Sequence, residues 1–245
     1  MQLGDEKTMN SSIASQFVIS LEFNDLPNEA VQIAKTCLLD FLGVAISGTS
    51  LPAAKSGLKL LNAFGQKEEA TIISFQKKVP VIAAVWANAL LGSVLDMEDG
   101  QYTSVSHPSS VVFPITLAIT EREQVHPKEF LTASIIGYEI FARSGALMSR
   151  KYRERMYGFG APGVYAAASA AARLLKLNSA GLEMALGIAG SYMPTIPVLR
   201  SIEHEAMTKG GGTVGGFCWG NLSPFSRSRL HSATCDTART LLSRR

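Results

Sequence analysis

The sequence has few of the residues that metal and redox sites usually require. It contains three cysteines among 245 residues, Cys37, Cys218 and Cys235, and no C-x-x-C spacing joins any two of them. An odd number of widely separated cysteines fits neither a disulfide framework nor a zinc or iron–sulfur site. The four histidines include no pair four residues apart, so a helical zinc pair is excluded as well. We therefore expect no metal and no other cofactor.

Long apolar runs are also missing. The two most apolar windows, residues 81–95 and 161–172, are shorter than the roughly 20 residues that cross a bilayer. The first ten residues are polar and include acids, which is unlike a secretion signal. We therefore expect a cytoplasmic protein that does not span a membrane.

A phosphate-binding loop is not present either. The run "GGGTVGG" at residues 210–216 lacks the G-K-[ST] ending that would bind nucleotide phosphates. From residue 211 the chain becomes rich in Gly, Ser and Arg, and residues 221–245 carry five Arg and one Asp. Such a tail could bind RNA or could be a terminus under no folding constraint. Because the remaining chain is close to neutral, we expect no nucleic-acid partner, and we divide the chain into a helical domain, 1–210, and an irregular tail, 211–245.

Apolar residues in the first 191 positions recur mostly at helical spacing. With 47% hydrophobic residues the chain can bury a sizeable core. We therefore predict a mainly α fold with one short strand, at residues 70–75. The first predicted helix begins near Asp25 and ends at Gly48, and the others cover residues 53–64, 81–95, 110–122, 127–149, 163–175 and 179–191. The helix at 81–95 is apolar on nearly every side, so it should run through the middle of the domain.

One segment concentrates ionisable groups directly after that central helix. In "GSVLDMEDGQYTSVSHPSS", residues 92–110, the acids Asp96, Glu98 and Asp99 precede His107. If the helix continued, Asp96 and Asp99 would share a face. Imidazole titrates near neutral pH and a carboxylate can fix its tautomer, so the pattern fits general acid–base chemistry. The alternative is a helix end that passes into a solvated loop.

Two further segments could contact a substrate. Lys209 precedes the glycine run in "MTKGGG", where a lysine can bind a carboxylate or phosphate, although a solvated surface lysine is more common. The stretch "YGFGAPGVYA", which begins at Tyr157, is a Gly/Pro turn that enters a helix of small residues, and it indicates only a close backbone approach.

Taken in order, several segments resemble the MmgE/PrpD family over residues 12–211. They are "LPNEAVQIAKTCLLDFLGVAISG", "LDMEDGQYTSVSHPSS", "GYEIFARSG", "AASAAARLLKLNSAGLEMALGIAGS" and "MTKGG". The resemblance implies a metal-free lyase or epimerase that acts on a small di- or tricarboxylate such as 2-methylcitrate. It also implies a homodimer with an all-helical main domain and a smaller lid domain.

The resemblance assigns roles to individual residues. Asp96 and His107 match the catalytic acid and histidine of the family motif "D-F-D-D…H-P-S", and Lys209 matches the lysine of its "T-K" motif. Many members have Thr where this chain has Gly100, and Thr103 and Ser104 are the nearby hydroxyls that could bind substrate instead.

Besides Gly100, two further departures separate this chain from the family pattern. Many members have a histidine where this chain has Gly160, and Tyr157 is a conceivable substitute. The family continues with a lid and returning helices, whereas the match here stops near residue 211, as in a truncated or frameshifted chain. An alternative to the enzyme is therefore a catalytically inactive helical fragment that serves only in dimerisation.

Overall fold

The computed structural model describes residues 5–75, 77–102, 104, 106–148, 150–155 and 160–192. The predicted mainly α fold is confirmed. The elements are α1 (Asp5–Ser20), a 3-10 turn (Phe23–Asp25), α2 (Asn28–Gly48), α3 (Pro52–Leu58), a second 3-10 segment (Lys59–Phe64), β1 (Ala70–Thr71), β2 (Lys78–Val79), α4 (Val81–Ser93), α5 (Ser109–Glu123), α6 (Pro127–Ala146), α7 (Arg150–Arg155), α8 (Gly160–Leu174) and α9 (Ser179–Ser191).

Helix α4 is the central element of the core. It begins after Pro80, and 11 of its 13 residues are buried, as its uniformly apolar sequence predicted. Helices α2 and α5 pack against it. Phe41 of α2 and Phe113 of α5 meet with their ring centroids 5.6 Å apart. A Cβ at Gly92 would overlap the Phe41 ring, so this glycine allows α2 to approach α4 closely.

Helices α6, α8 and α9 form the other side of the core. Helix α8 packs against both α6 and α9. Its buried face consists largely of alanines, which allow the neighbouring helices to approach closely. Those alanines are Ala166, Ala167, Ala168, Ala170, Ala171 and Ala172.

A small β-hairpin lies against α4 and replaces the single predicted strand. Strand β1 pairs with β2 in antiparallel register, with Ala70 opposite Val79. Asn88 of α4 is buried, and its side-chain amide donates to the carbonyl oxygen of Thr71 (3.1 Å) and accepts from the backbone N–H of Ile73 (2.8 Å). The one amide in the apolar helix therefore satisfies backbone groups of the hairpin.

Several predicted boundaries differ from the structure for local reasons. Helix α2 begins at Asn28, and Asp25 does not cap it; the Asp25 carboxylate instead accepts from the backbone N–H of Glu22 (3.0 Å). The predicted helix 53–64 divides into α3 and a 3-10 segment. Helices α1 and α7 were not predicted. Both are rich in polar residues, so neither shows a clear apolar period.

Helix α2 is, by length and composition alone, long and apolar enough to cross a membrane. Core helices of globular proteins meet the same criterion. Here Val31, Ala34, Phe41, Val44 and Ala45 are buried, and the helix packs against α4, α5 and α6. That the protein does not span a membrane stays a prediction.

Candidate acid–base site

The loop between α4 and α5 places the predicted acid–base residues. Helix α4 ends at Ser93, two residues earlier than expected, so Asp96 and Asp99 do not share a helical face. Asp96 has a φ of 55° and is exposed. This left-handed conformation is one that Asp tolerates better than most residues, and it turns the chain away from the helix axis. Asp96 therefore stands at the turn after α4.

His107 lies at the other end of the loop and is half-buried. Its Nδ1 is 2.7 Å from the backbone carbonyl oxygen of Asp99. A carbonyl oxygen only accepts hydrogen bonds, so Nδ1 must carry the proton. The neutral ring then has its basic lone pair on Nε2, so Nε2 is the ring atom that can accept a proton.

The side chain of Asp99 joins the loop to two helices. Its Oδ1 accepts from the backbone N–H of Ser109 (3.0 Å), at the start of α5. Its Oδ2 accepts from the hydroxyl of Tyr138 (2.8 Å), on α6. The Tyr138 ring packs 5.6 Å, between centroids, from the ring of Phe113. Asp99 is thus held from two directions, and its backbone oxygen holds His107.

Burial and negative charge set the protonation states around Asp99. Burial, reinforced by the nearby Asp99 charge, raises the pKa of Tyr138 well above its usual value of 10.0. Cys37 of α2 lies beside this pair, and burial together with the Asp99 charge raises the pKa of its thiol. Both groups therefore remain protonated at neutral pH, and Tyr138 is a hydrogen-bond donor there.

Ser104 is buried inside the loop. Its backbone N–H and its hydroxyl both donate to the side-chain oxygen of Gln101 (2.6 and 2.8 Å). Gln101 and Ser106 also pair as an isolated antiparallel bridge. A Cβ at Gly145 of α6 would overlap Ser104, so the loop packs directly on that helix. The geometry shows Ser104 supporting the loop, and a role in substrate binding stays a prediction.

The remaining predicted site residues, Thr103, Tyr157 and Lys209, lie outside the described residues, as does the predicted tail 211–245. Gly160, at the position where the resemblance implies a histidine in many family members, begins α8 and is buried. Within the part of the chain that the structure describes, no three His, Cys, Asp or Glu side chains are grouped as metal ligands.

Among the described residues, two surface clefts lie beside the core. A groove of about 540 Å³ runs along α2 and is bordered by Leu95 and Met97, the two neighbours of Asp96. A second cleft, of about 610 Å³, lies near the C-terminal end of α5, far from His107. It contains Arg173 and His126. Of the two, only the groove beside Asp96 adjoins the loop.

The sequence pattern identified the loop but not its internal connections. Tyr138 is not among the predicted site residues, although it lies three and seven residues before Phe141 and Gly145 and so shares a helical face with them. That spacing was the available signal. The group that contacts Nδ1 of His107 is a backbone carbonyl, which no side-chain pattern encodes.

Comparisons with known proteins identify the family to which these residues belong. A family model described as the MmgE/PrpD N-terminal domain matches residues 12–215. The cis-aconitate decarboxylase-like protein oryM of Aspergillus oryzae is 27% identical over 206 residues, which are 79% of this chain and 41% of that protein.

Two further relatives are similar at the same level. The cis-aconitate decarboxylase of Aspergillus terreus is 27% identical over 177 residues (69% of this chain, 36% of that protein). The human cis-aconitate decarboxylase is 24% identical over 193 residues (76% of this chain, 40% of that protein). The chain thus spans about two fifths of the length of the curated relatives it matches.

Proposed function

Because the chain belongs to the MmgE/PrpD family, we propose that it carries the acid–base part of a lyase site for a small di- or tricarboxylate. The observation that carries this proposal is the hydrogen bond from His107 to the carbonyl oxygen of Asp99, which leaves Nε2 as the basic atom of the neutral ring. No metal or other cofactor is needed for this chemistry.

The reaction requires a proton to move at a carbon next to a carboxylate. In a dehydration, a base takes that proton, the electron pair forms the double bond, and the hydroxyl group on the adjacent carbon takes a proton from an acid and leaves as water. In a decarboxylation, carbon dioxide leaves first and an acid protonates the carbon. A histidine can serve in either direction, because imidazole can both accept and donate a proton.

Each proposed residue has a separate role. His107 transfers the proton, and Asp96, exposed at the turn after α4, orients the substrate or assists the transfer. Lys209 binds a substrate carboxylate, with Thr103, Ser104 and Tyr157 as further contacts. Cis-aconitate and 2-methylcitrate are the substrates to test first, because both place a carbon-bound hydrogen beside a carboxylate.

The test follows proton exchange as well as turnover. The 245-residue chain is incubated with each substrate in deuterium oxide, and proton NMR measures product formation and deuterium entry at the carbon next to the carboxylate. We expect His107→Asn to reduce both rates at least 100-fold, because proton transfer by a side chain contributes about 10² to 10⁴. Asn can still donate to the Asp99 carbonyl, so the loop should stay in place.

One matched control and one further site variant accompany this measurement. His126→Asn changes the histidine that precedes α6, where Asn is equally able to cap the helix, and it should leave both rates unchanged. Asp96→Asn tests the carboxylate charge alone, because Asn also tolerates the left-handed backbone conformation of this position. Absence of turnover and exchange with every substrate, or full activity in His107→Asn, would contradict the proposal.

A second candidate is an inactive helical domain that serves in association. It is favoured by the outer face of α2, where Ile33, Leu39 and Ile46 are each more than half exposed. An inactive chain whose sedimentation behaviour changes on Leu39→Lys would support it. A homodimer and a cytoplasmic location remain part of both proposals.

A further inference from the structure

The three hydrogen bonds at Asp99 connect residues that are distant in sequence. The backbone oxygen of Asp99 binds His107 eight residues later, and its carboxylate binds Ser109 and then Tyr138, 39 residues later. The carboxylate has two oxygens and each has a donor. The orientation of residue 99, including its carbonyl group, is therefore fixed by α5 and α6 together.

Tyr138 is a suitable anchor for this carboxylate. Its hydroxyl donates to Asp99, and its ring packs against Phe113 in the hydrophobic core. The raised pKa keeps the phenol protonated over the whole physiological range, so the donor is always present. The anchor also lies on α6, a 20-residue helix in the core, rather than on the loop itself.

We propose that Asp99 and Tyr138 are positioning residues that hold the imidazole of His107 in the tautomer protonated on Nδ1. This inference rests on the proposed function of His107 and deepens it, because it explains why Nε2 would be the atom that meets the substrate. Neither Asp99 nor Tyr138 needs to touch the substrate. Their effect passes through the carbonyl oxygen of residue 99.

The direct test is the tautomer itself. Nitrogen-15 NMR of the two ring nitrogens of His107 distinguishes the two neutral tautomers at pH 8.5, where ordinary imidazoles are neutral. In the unmodified chain we expect the Nδ1-protonated form to dominate. In Tyr138→Phe, which keeps the ring and removes the hydroxyl, we expect the Nε2-protonated form to become populated. Tyr165→Phe, which removes a hydroxyl on α8, should not change the spectrum.

Asp99→Asn provides a second variant that keeps the side-chain shape. Two donors face Asp99, and the Asn amide has only one oxygen, so one bond must be lost or reversed. The tautomer ratio should shift as in Tyr138→Phe. Retention of the Nδ1-protonated form in both variants would overturn the proposal. Because this measurement needs no substrate, it gives its answer even if the chain has no activity.

Measurement of kcat and KM then distinguishes an effect on the position of the base from an effect on substrate binding. If the chain is active, kcat should fall about 10- to 100-fold in Tyr138→Phe while KM changes less than about twofold, because a misplaced base slows the chemical step. A normal tautomer with normal kcat would contradict the positioning role and leave His107 as the base. A shifted tautomer in an inactive chain would contradict the proposed function and leave the positioning role intact.

Discussion

The hydroxyl of Tyr138 donates a hydrogen bond to Oδ2 of Asp99 over 2.8 Å and so joins helix α6 to the loop that carries His107. The tyrosine supplies the proton and the carboxylate supplies the charge, an arrangement stronger than a bond between two neutral groups. Loss of the tyrosine proton would place two negative groups against each other in a partly buried site. The pair should therefore make the fold sensitive to alkaline pH.

We predict that the free energy of unfolding falls as pH rises above 10 and falls less steeply in Tyr138→Phe. The pKa of Tyr138 is raised in the folded protein, so the unfolded chain ionises first. Its contribution to stability is complete below pH 10 and is lost as pH rises toward the folded-state value. The slope should differ by up to about 1.4 kcal/mol per pH unit between the two proteins. Urea unfolding at pH 8, 10 and 11 measures it.

The matched control for this measurement is Tyr165→Phe. It removes one tyrosine from both folded and unfolded chains without removing a bond to Asp99. We expect its pH slope to equal that of the unmodified protein. Equal slopes in all three proteins would show that Tyr138 ionises normally when folded.

The helices of the fold could be predicted because their apolar residues follow helical spacing. The helix from Ser179 to Ser191 has the predicted bounds, and α4 begins at the predicted residue. Small differences between predicted and observed helix ends arise from local hydrogen bonds. At Asp25, for example, the carboxylate accepts from a backbone N–H in the turn before α2 and does not cap the helix. The strand at Lys78–Val79 was missed because two residues carry no periodicity.

The candidate site could be predicted only as a segment. Clustered acids and His107 were visible in the sequence, but the bond from His107 goes to a backbone carbonyl. The contact from Tyr138 crosses 39 residues, and long-range pairs of this kind leave no local pattern. Helix α4 also ends early, so Asp96, with its positive φ, and Asp99, whose carbonyl oxygen contacts His107, both lie in the loop and not on a helix.

Arg173 of α8 is predicted to hold helix α1 on the core. Its guanidinium bonds Glu129 (2.5 Å), Glu22 (3.2 Å) and the backbone oxygen of Ile19 (2.5 Å), and its side chain is only 10% exposed. Burial alone would lower its pKa, but these two carboxylates outweigh that effect and raise it. Arg173→Lys keeps one charge and loses the planar fork, so we expect a loss of about 1 to 3 kcal/mol.

Limited proteolysis within α1 measures this loss locally. We expect cleavage in residues 5–20 to become faster in Arg173→Lys while cleavage elsewhere is unchanged. Arg143→Lys is the matched control, because Arg143 pairs with Glu139 on the exposed surface of α6 (2.8 Å), where such pairs contribute little. Identical cleavage rates in both variants would contradict the role assigned to Arg173.

Gly145 is predicted to be the residue that lets the loop reach its place on α6. A Cβ at this position would overlap both the Cα and the Cβ of Ser104, and neither atom can move without moving the loop backbone. We therefore expect Gly145→Ala to cost about 1 to 3 kcal/mol of stability, although alanine favours the helix itself. Gly187→Ala tests the helix effect alone, because nothing lies within 4 Å of a Cβ there, and it should stabilise the protein by up to about 1 kcal/mol. Thermal unfolding of the two variants should shift in opposite directions. A stabilised Gly145→Ala protein would mean that the loop can shift away from α6 at no cost, and the fixed geometry of Asp99 and His107 would then lose its physical basis.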